Sequence, residues 1–317
     1  MFKKIFFKFV NSIFKILLPF MSNFFIKLKV NKRIADYLNE KKNFANNFYD
    51  FSKIISECLI ENKIVALDVG AQGGFNSDQF FPKKYDKFFE PILVEPIKGE
   101  ANKLKKENEL VINNGLWSKK TTKKLYILGK RLGSSSMYEP DPELLNLHLI
   151  KEKDYKNYIV TDTAEVECDS LSNSLKKLKI ENLDYLKVDT QGSELEILKG
   201  IGDYKPLMIK IEVQIMSMYK DVPAWSELLN YLYKINYIII DWKTIGSHAT
   251  RVPAEMDMIF IPNFNNSFGK DLIINQQEKF ISIMLIFGQV KLLKLISQKF
   301  NFKFHHKIEQ IQDRFYN

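Results

Sequence analysis

The stretch Tyr185-Leu-Lys-Val-Asp-Thr-Gln-Gly-Ser-Glu-Leu-Glu-Ile-Leu-Lys-Gly200 constrains this chain most, because it reads as a buried strand that delivers an acid to a sharp turn and then enters a helix. Leu186 and Val188 are apolar strand residues, Asp189 falls where the strand should end, and Gly192 permits a turn that few other residues tolerate. Ser193 is expected to cap the helix, Leu195, Ile197 and Leu198 to give it a sheet-facing side, and Gly200 to stop it. In an open α/β sheet ligands sit beyond the carboxyl ends of the strands, so Asp189 stands where chemistry would happen. An acid at such a place can also simply cap a turn.

The same strand-to-turn pattern occurs earlier. A helix with Phe48, Phe51, Ile54, Ile55, Cys58 and Leu59 on one face leads into the strand Ile64-Val-Ala-Leu-Asp-Val69. That strand runs into the turn Gly70-Ala-Gln-Gly-Gly-Phe75, with a helix expected around Asn76 to Phe81. Glycines there let backbone approach a nucleotide or a sulfonium amino acid closely, and a helix N-terminus offers free N–H groups to a carboxylate. The second strand, Pro91-Ile-Leu-Val-Glu95, ends in an acid that can accept both hydroxyls of an adenosine ribose. After a helix over 98–107, Leu110 to Trp117 reads as a third strand, with Asn113 and Asn114 near the adenine edge.

Further on, a helix begins at Asp169 with Leu171, Leu175 and Leu178 inward. Leu207 to Val213 makes a fifth strand and brings Glu212 beside Asp189, so that two acids face one cleft. A helix follows over 225–233. Tyr237 to Asp241 and Met256 to Ile261 read as closing strands in an antiparallel hairpin, with His248 in the loop between them. The stretch 118–168 breaks the alternation. Thr122 to Leu128 and Val160 to Cys168 have period two around the polar Gly133-Ser-Ser-Ser136, so an antiparallel extension or a lid is expected, with Arg131, Ser134, Ser135 and Tyr138 able to reach a polar substrate.

Charge separates the ends from the body. Residues 1–42 hold ten Lys/Arg against two acids and residues 291–317 six against two, so the ends account for more than the whole formal net charge of +9. The remaining middle is slightly acidic, which argues against nucleic acid as a partner of the body. Lys4, Lys8 and Lys15 share one helical face opposite Phe6, Phe9, Ile13 and Leu17, a basic amphipathic pattern suited to peripheral contact with a membrane surface through residues 1–30. Packing on the body or on a second subunit is the alternative, and an oligomer stays open. Two distant cysteines, Cys58 and Cys168, fit a reducing cytoplasm, and no apolar run is long enough for a multi-pass membrane protein. The expected organisation is a basic helical extension over 1–43, a catalytic domain over 44–265 with its insertion at about 118–168, and a C-terminal helical extension over 266–317.

Asp68-Val-Gly-Ala-Gln-Gly-Gly74, Val94-Glu-Pro96, and Leu186 to Glu194 continuing through Leu198-Lys-Gly200 resemble the FkbM family of S-adenosylmethionine-dependent methyltransferases. The resemblance covers roughly residues 60 to 262. Gln191 departs from the family's usual Glu before the glycine, and Gln72-Gly73 from its usual Asn and aliphatic residue. The resemblance implies an α/β fold with a Rossmann-like, seven-stranded class I methyltransferase sheet and helices on both faces. It further implies transfer of a methyl group from S-adenosyl-L-methionine to a hydroxyl of a sugar, glycan or other small acceptor. Asp68, Gly70, Gln72, Gly74, Glu95 and Asn114 are the expected cofactor residues, and Asp189, then Glu212, then His248 the expected catalytic ones. Whether Asp189 and Glu212 hold a divalent metal is left open. The rival from another class is a non-catalytic binding or scaffold protein at a membrane-bound glycan assembly. A nicotinamide-dependent oxidoreductase would need a Gly-x-Gly-x-x-Gly turn that the chain lacks.

Overall fold

The structure, a computed structural model, describes residues 50–60, 62–107, 110–145, 147–148, 150–245 and 252–311. Among the described residues ten strands form two sheets. The larger contains β1 (Ile64–Val69), β2 (Phe89–Val94), β3 (Val111–Ile112), β7 (Tyr185–Val188), β8 (Met208–Gln214), β9 (Tyr237–Ile245) and β10 (Glu255–Pro262), in the order β3-β2-β1-β7-β8-β10-β9. Neighbours from β3 to β8 pair in parallel, while β10 runs antiparallel to both β8 and β9. The expected closing hairpin forms, and its second strand enters the sheet between the first and β8.

Parallel strands need both faces covered, and their near-continuous apolar runs show it. Leu67, Val69, Leu186, Val188, Ile209 and Ile211 point to one side. There they meet α3 (Leu171–Lys177), α4 (Glu194–Lys199) and α5 (Trp225–Lys234) through Leu171, Leu175, Ile197, Leu198, Leu228 and Leu232. Ile64, Ala66, Tyr185, Met208, Ile259 and Ile261 point to the other side. They share a core with α1 (Ser52–Cys58), α6 (Ser267–Asn275), α7 (Gln277–Ile286), α8 (Val290–Lys299) and α9 (His305–Glu309). Every residue of α7 from Phe280 to Ile286 is buried, at roughly 1.5–3 kcal/mol for each large apolar side chain. The expected C-terminal extension therefore supplies one wall of the main core. α2 (Lys98–Leu104) covers Leu93 with Leu104.

Four expectations change. Asn76 and Gln79 adopt left-handed backbone with φ of 52° and 49°, so no helix forms over 76–81. The expected third strand divides. The Asn113 amide donates to the carbonyls of Glu95 and Pro96 and turns the chain after Ile112; Gly115–Trp117 then leaves the main sheet as β4. That strand pairs with β6 (Asp162–Ser170), which pairs antiparallel with β5 (Thr121–Ile127), and the insertion is thus a second, three-stranded sheet. Leu178 lies just past the end of α3 and is exposed rather than inward. Finally, Ser193 precedes α4 without a side-chain cap.

Candidate active site

β1 and β7 end side by side where the connectivity reverses, since β2 and β3 lie on one side of β1 and β7 and β8 on the other. Connections leave such a point in opposite directions and open a crevice between them. Gly70, Gln72 and Asp78 line it from the first loop, Glu95 and Ile97 from beyond β2, and Asp189, Thr190, Gln191 and Ser193 from beyond β7. Gly115 and Leu116 of β4, Leu125 of β5, and Leu132, Gly133, Ser135 and Met137 of the insertion close its outer side.

Gly70 is demanded by this geometry. Its φ is +82°, and a Cβ built on it would lie 1.9 Å from the carbonyl oxygen of Asp189. The two strand exits therefore touch through bare backbone. The N–H groups of Gly70 and Ala71 both donate to the Val94 carbonyl, at 3.1 and 3.2 Å, tying the loop to the end of β2. Glu95 follows directly and is 4% exposed; its Oε1 accepts from the Ile97 N–H at 2.8 Å. Burial pushes the Glu95 carboxyl up to about 7.

At the end of β7, Gln191 connects the acids. Its Nε2 donates to Glu212 at 2.7 Å and lies 3.4 Å from Asp189 Oδ1, while its Oε1 accepts from Gln214 at 3.2 Å and from the Tyr219 hydroxyl at 3.1 Å. Its carbonyl accepts from Ser136 Oγ of the insertion at 2.6 Å, and its own φ is +60°. Burial, with Asp189 and Glu255 adding like charge, pushes the Glu212 carboxyl up to about 9. Burial and Asp189 likewise push Glu255 up to about 7. The turn itself is held by Glu194, whose Oε1 accepts from Thr190 N, Thr190 Oγ1 and Gly192 N, each at 3.0 Å. This carboxylate fastens the turn ahead of α4, whose first N–H groups receive no Ser193 cap. Among the described residues Ser193 Oγ has no partner, on a residue 2% exposed that lines the cleft.

Beneath the cleft lies a layer of buried charge. Lys187 Nζ donates to Asp68 Oδ1 at 3.0 Å and stands 4.0 Å from Asp189. Lys210 Nζ is 2.9 Å from both Asp78 and Asp257. Burial alone would lower the pKa of each lysine, but Asp68 and Asp189 around Lys187, and Asp257 and Asp78 around Lys210, outweigh it and raise both. Lys187, Lys210, Asp78 and Asp257 are not among the site residues that the sequence motifs mark. The available signal was a lysine in the middle of each apolar strand, Tyr185-Leu-Lys-Val and Met208-Ile-Lys-Ile, because a strand buried on both faces keeps such a charge only when it is paired.

Of the expected cofactor residues, Gly70, Gln72 and Glu95 line the cleft and Asp68 lies behind it on Lys187. Gly74 has φ +95° with open space where a side chain would be. Asn114 is exposed, with Gly115 at the cleft beside it. Of the expected catalytic residues, Asp189 lines the cleft and Glu212 sits behind it across Gln191. His248 lies outside the described residues. Among the described residues no three His, Cys, Asp or Glu side chains gather as a metal site, and the amide nitrogen between Asp189 and Glu212 is a donor standing where a bridging cation would.

A mixed sheet with a glycine turn, a buried acid after the second strand and a second acid at the switch point defines an α/β protein built to hold a ligand across its carboxyl edge. The chain belongs to the FkbM methyltransferase family, whose domain matches residues 68–239. No curated protein matches it. Among solved structures, a chain described as a candidate DNA modification methyltransferase encoded within a prophage (E. coli) is 11% identical, with a TM-score of 0.34. That match covers 67% of this chain and 48% of the other, so the chain spans about half the length of that protein. So faint a likeness says nothing about what this chain acts on.

Proposed function

We propose that the chain is an S-adenosylmethionine-dependent methyltransferase acting on a hydroxyl oxygen of a sugar, glycan or other small hydroxylated acceptor. Family membership supports methyl transfer. The single observation that carries the cofactor is Glu95, a buried carboxylate facing the cleft at the end of β2, one strand from the Gly70 turn. When bound, the cofactor would supply a methyl group activated on a sulfonium. Glu95 would accept the ribose hydroxyls, the loop from Gly70 to Gly74 would face the amino-acid end, and the unpartnered Ser193 hydroxyl would meet a polar edge among Ile97, Leu116 and Ile197.

Methyl transfer to a hydroxyl requires in-line approach and loss of the acceptor proton. Asp189 opens on the cleft and is the residue placed to take that proton. Glu212, pushed up to about 9, keeps its own proton at neutral pH and so is better suited to hold Gln191 than to act as base. The second sheet and the loop that carries Leu132 and Ser135 close the outer side against water. The scaffold reading shares the fold but gives no reason for a carboxylate and an orphan hydroxyl to be buried at one cleft.

Calorimetric titration with S-adenosylmethionine and S-adenosylhomocysteine, and NAD as control, tests the proposal. Both sulfur ligands should bind in the micromolar range and NAD should not. Because ribose hydroxyls need the ionised Glu95 as acceptor, affinity should rise roughly tenfold per pH unit below about 7 and level off above it. Folded protein that binds neither sulfur ligand would favour the scaffold.

A further inference from the structure

We propose that Lys210 is a positioning residue that fastens the glycine loop over the cleft through Asp78, and so sets cofactor affinity without touching the cofactor; this rests on the cofactor reading above. Lys210 lies within β8, 2% exposed, two strands away from the β1 end where the loop begins. A buried ammonium is costly unless it is paired, and this one is paired on both sides. Asp257 of β10 holds it at 2.9 Å from within the sheet, and Asp78 holds it at 2.9 Å from the loop. The ring of Phe80, also in the loop, lies 4.4 Å from the same nitrogen.

The loop needs such a tie. Between Gly70 and Pro82 it forms no helix, and it passes through left-handed backbone at Gly70, Gly73, Gly74, Asn76 and Gln79. The hydrogen bonds from Ser77 Oγ to the Gln72 carbonyl, from Gly74 N to the Ala71 carbonyl and from Gln79 N to the Asn76 carbonyl fold it on itself and do not place it against the sheet. Its start is fixed by Gly70 and Ala71 on Val94. Lys210 fixes its return, at the residue next to Ser77, where the loop again lines the cleft. Gln72, Ser77 and Asp78 thus face a ligand from a loop whose apolar side chains Phe75 and Phe80 pack on Phe89 and Phe287 and whose cleft-facing stretch is tied to the sheet by Val94 at its start and by Lys210 at its return.

Asp78→Asn and Asp257→Asn separate this role from general support, since each removes one partner of Lys210 and only the first belongs to the loop. Hydrogen exchange of the ligand-free protein should show amides of residues 71–80 exchanging at least about tenfold faster in Asp78→Asn and unchanged in Asp257→Asn. Calorimetry with S-adenosylhomocysteine should show affinity about tenfold weaker in Asp78→Asn and within about threefold of wild type in Asp257→Asn. Wild-type loop exchange in Asp78→Asn would overturn the proposal, and if affinity still fell, Asp78 would be a direct ligand contact instead. Equal loss in both variants would also overturn it, making the pair general sheet support. Should even wild type fail to bind, the cofactor reading falls, while the exchange data still decide whether Lys210 holds the loop.

Discussion

Asp189 and Glu212 show how two carboxylates at neighbouring strand ends come to differ. Asp189 opens on the cleft; Glu212 is pressed among Asp189, Glu255 and the Gln191 amide, and its carboxyl is pushed up to about 9 by burial and like charge. Asp189→Asn should therefore lower kcat by roughly 10²–10⁴-fold with cofactor affinity nearly unchanged, whereas Glu212→Gln, neutral like the group it replaces, should keep kcat within about tenfold. Methyl transfer to any acceptor that the wild type methylates checks both. A wild-type rate in Asp189→Asn would remove it as the base. Asp189 and Glu95 were legible as site candidates because an acid after an apolar strand is visible in sequence. Lys187, Lys210 and the bridging role of Gln191 were not, since their meaning depends on partners up to 132 residues away.

Elements behave similarly. The first loop reads as a turn and a helix, yet left-handed Asn76 and Gln79 turn it into an irregular crossing, and the Asn76 amide braces it by donating to the Phe81 carbonyl at 3.0 Å and to Asp86 at 2.8 Å. Gly70 can be probed against Gly74, because both have positive φ but only the first abuts backbone. Gly70→Ala should destabilise the fold by roughly 3 kcal/mol and Gly74→Ala by roughly 1 kcal/mol, measured as urea midpoints. Equal losses would mean that strain alone, and not contact with the Asp189 carbonyl, demands glycine at position 70. The third strand was legible as apolar, but its division was not. Asn113 turns the chain, and Gly115 leaves room for Met137 and Cys168, which would lie 2.5 and 2.6 Å from a Cβ there.

For the whole molecule, three acids with raised pKa have a definite effect on stability: Glu95 beyond β2, and Glu212 and Glu255 on the neighbouring strands β8 and β10. Each has its folded pKa raised above an unfolded value of 4.5, to about 7, 9 and 7, so the folded state binds more protons than the unfolded state through that interval. Their contribution is complete below about pH 4.5 and is lost as pH rises through 7 and then 9. Urea midpoints should accordingly fall between pH 6 and pH 9, and a flat or rising profile would show that these carboxyls are ionised in the folded protein. Among the described residues no helix is long and apolar enough to cross a membrane; the basic amphipathic stretch 1–30 lies outside them.

Local pattern determined the strands, most of the helices and the acids at the strand ends, because alternation, apolar runs and glycine turns act over a few residues and leave their mark in the chain. It also revealed the family, whose motifs sit at those same strand exits. Tertiary structure alone decided that α7 is buried core, that the insertion forms a separate sheet walling the cleft, and that Lys187 and Lys210 are paired beneath it. Each of these depends on which distant segments share a face. Burial and ion pairing are properties of that arrangement, and a side chain's sequence neighbours do not report them.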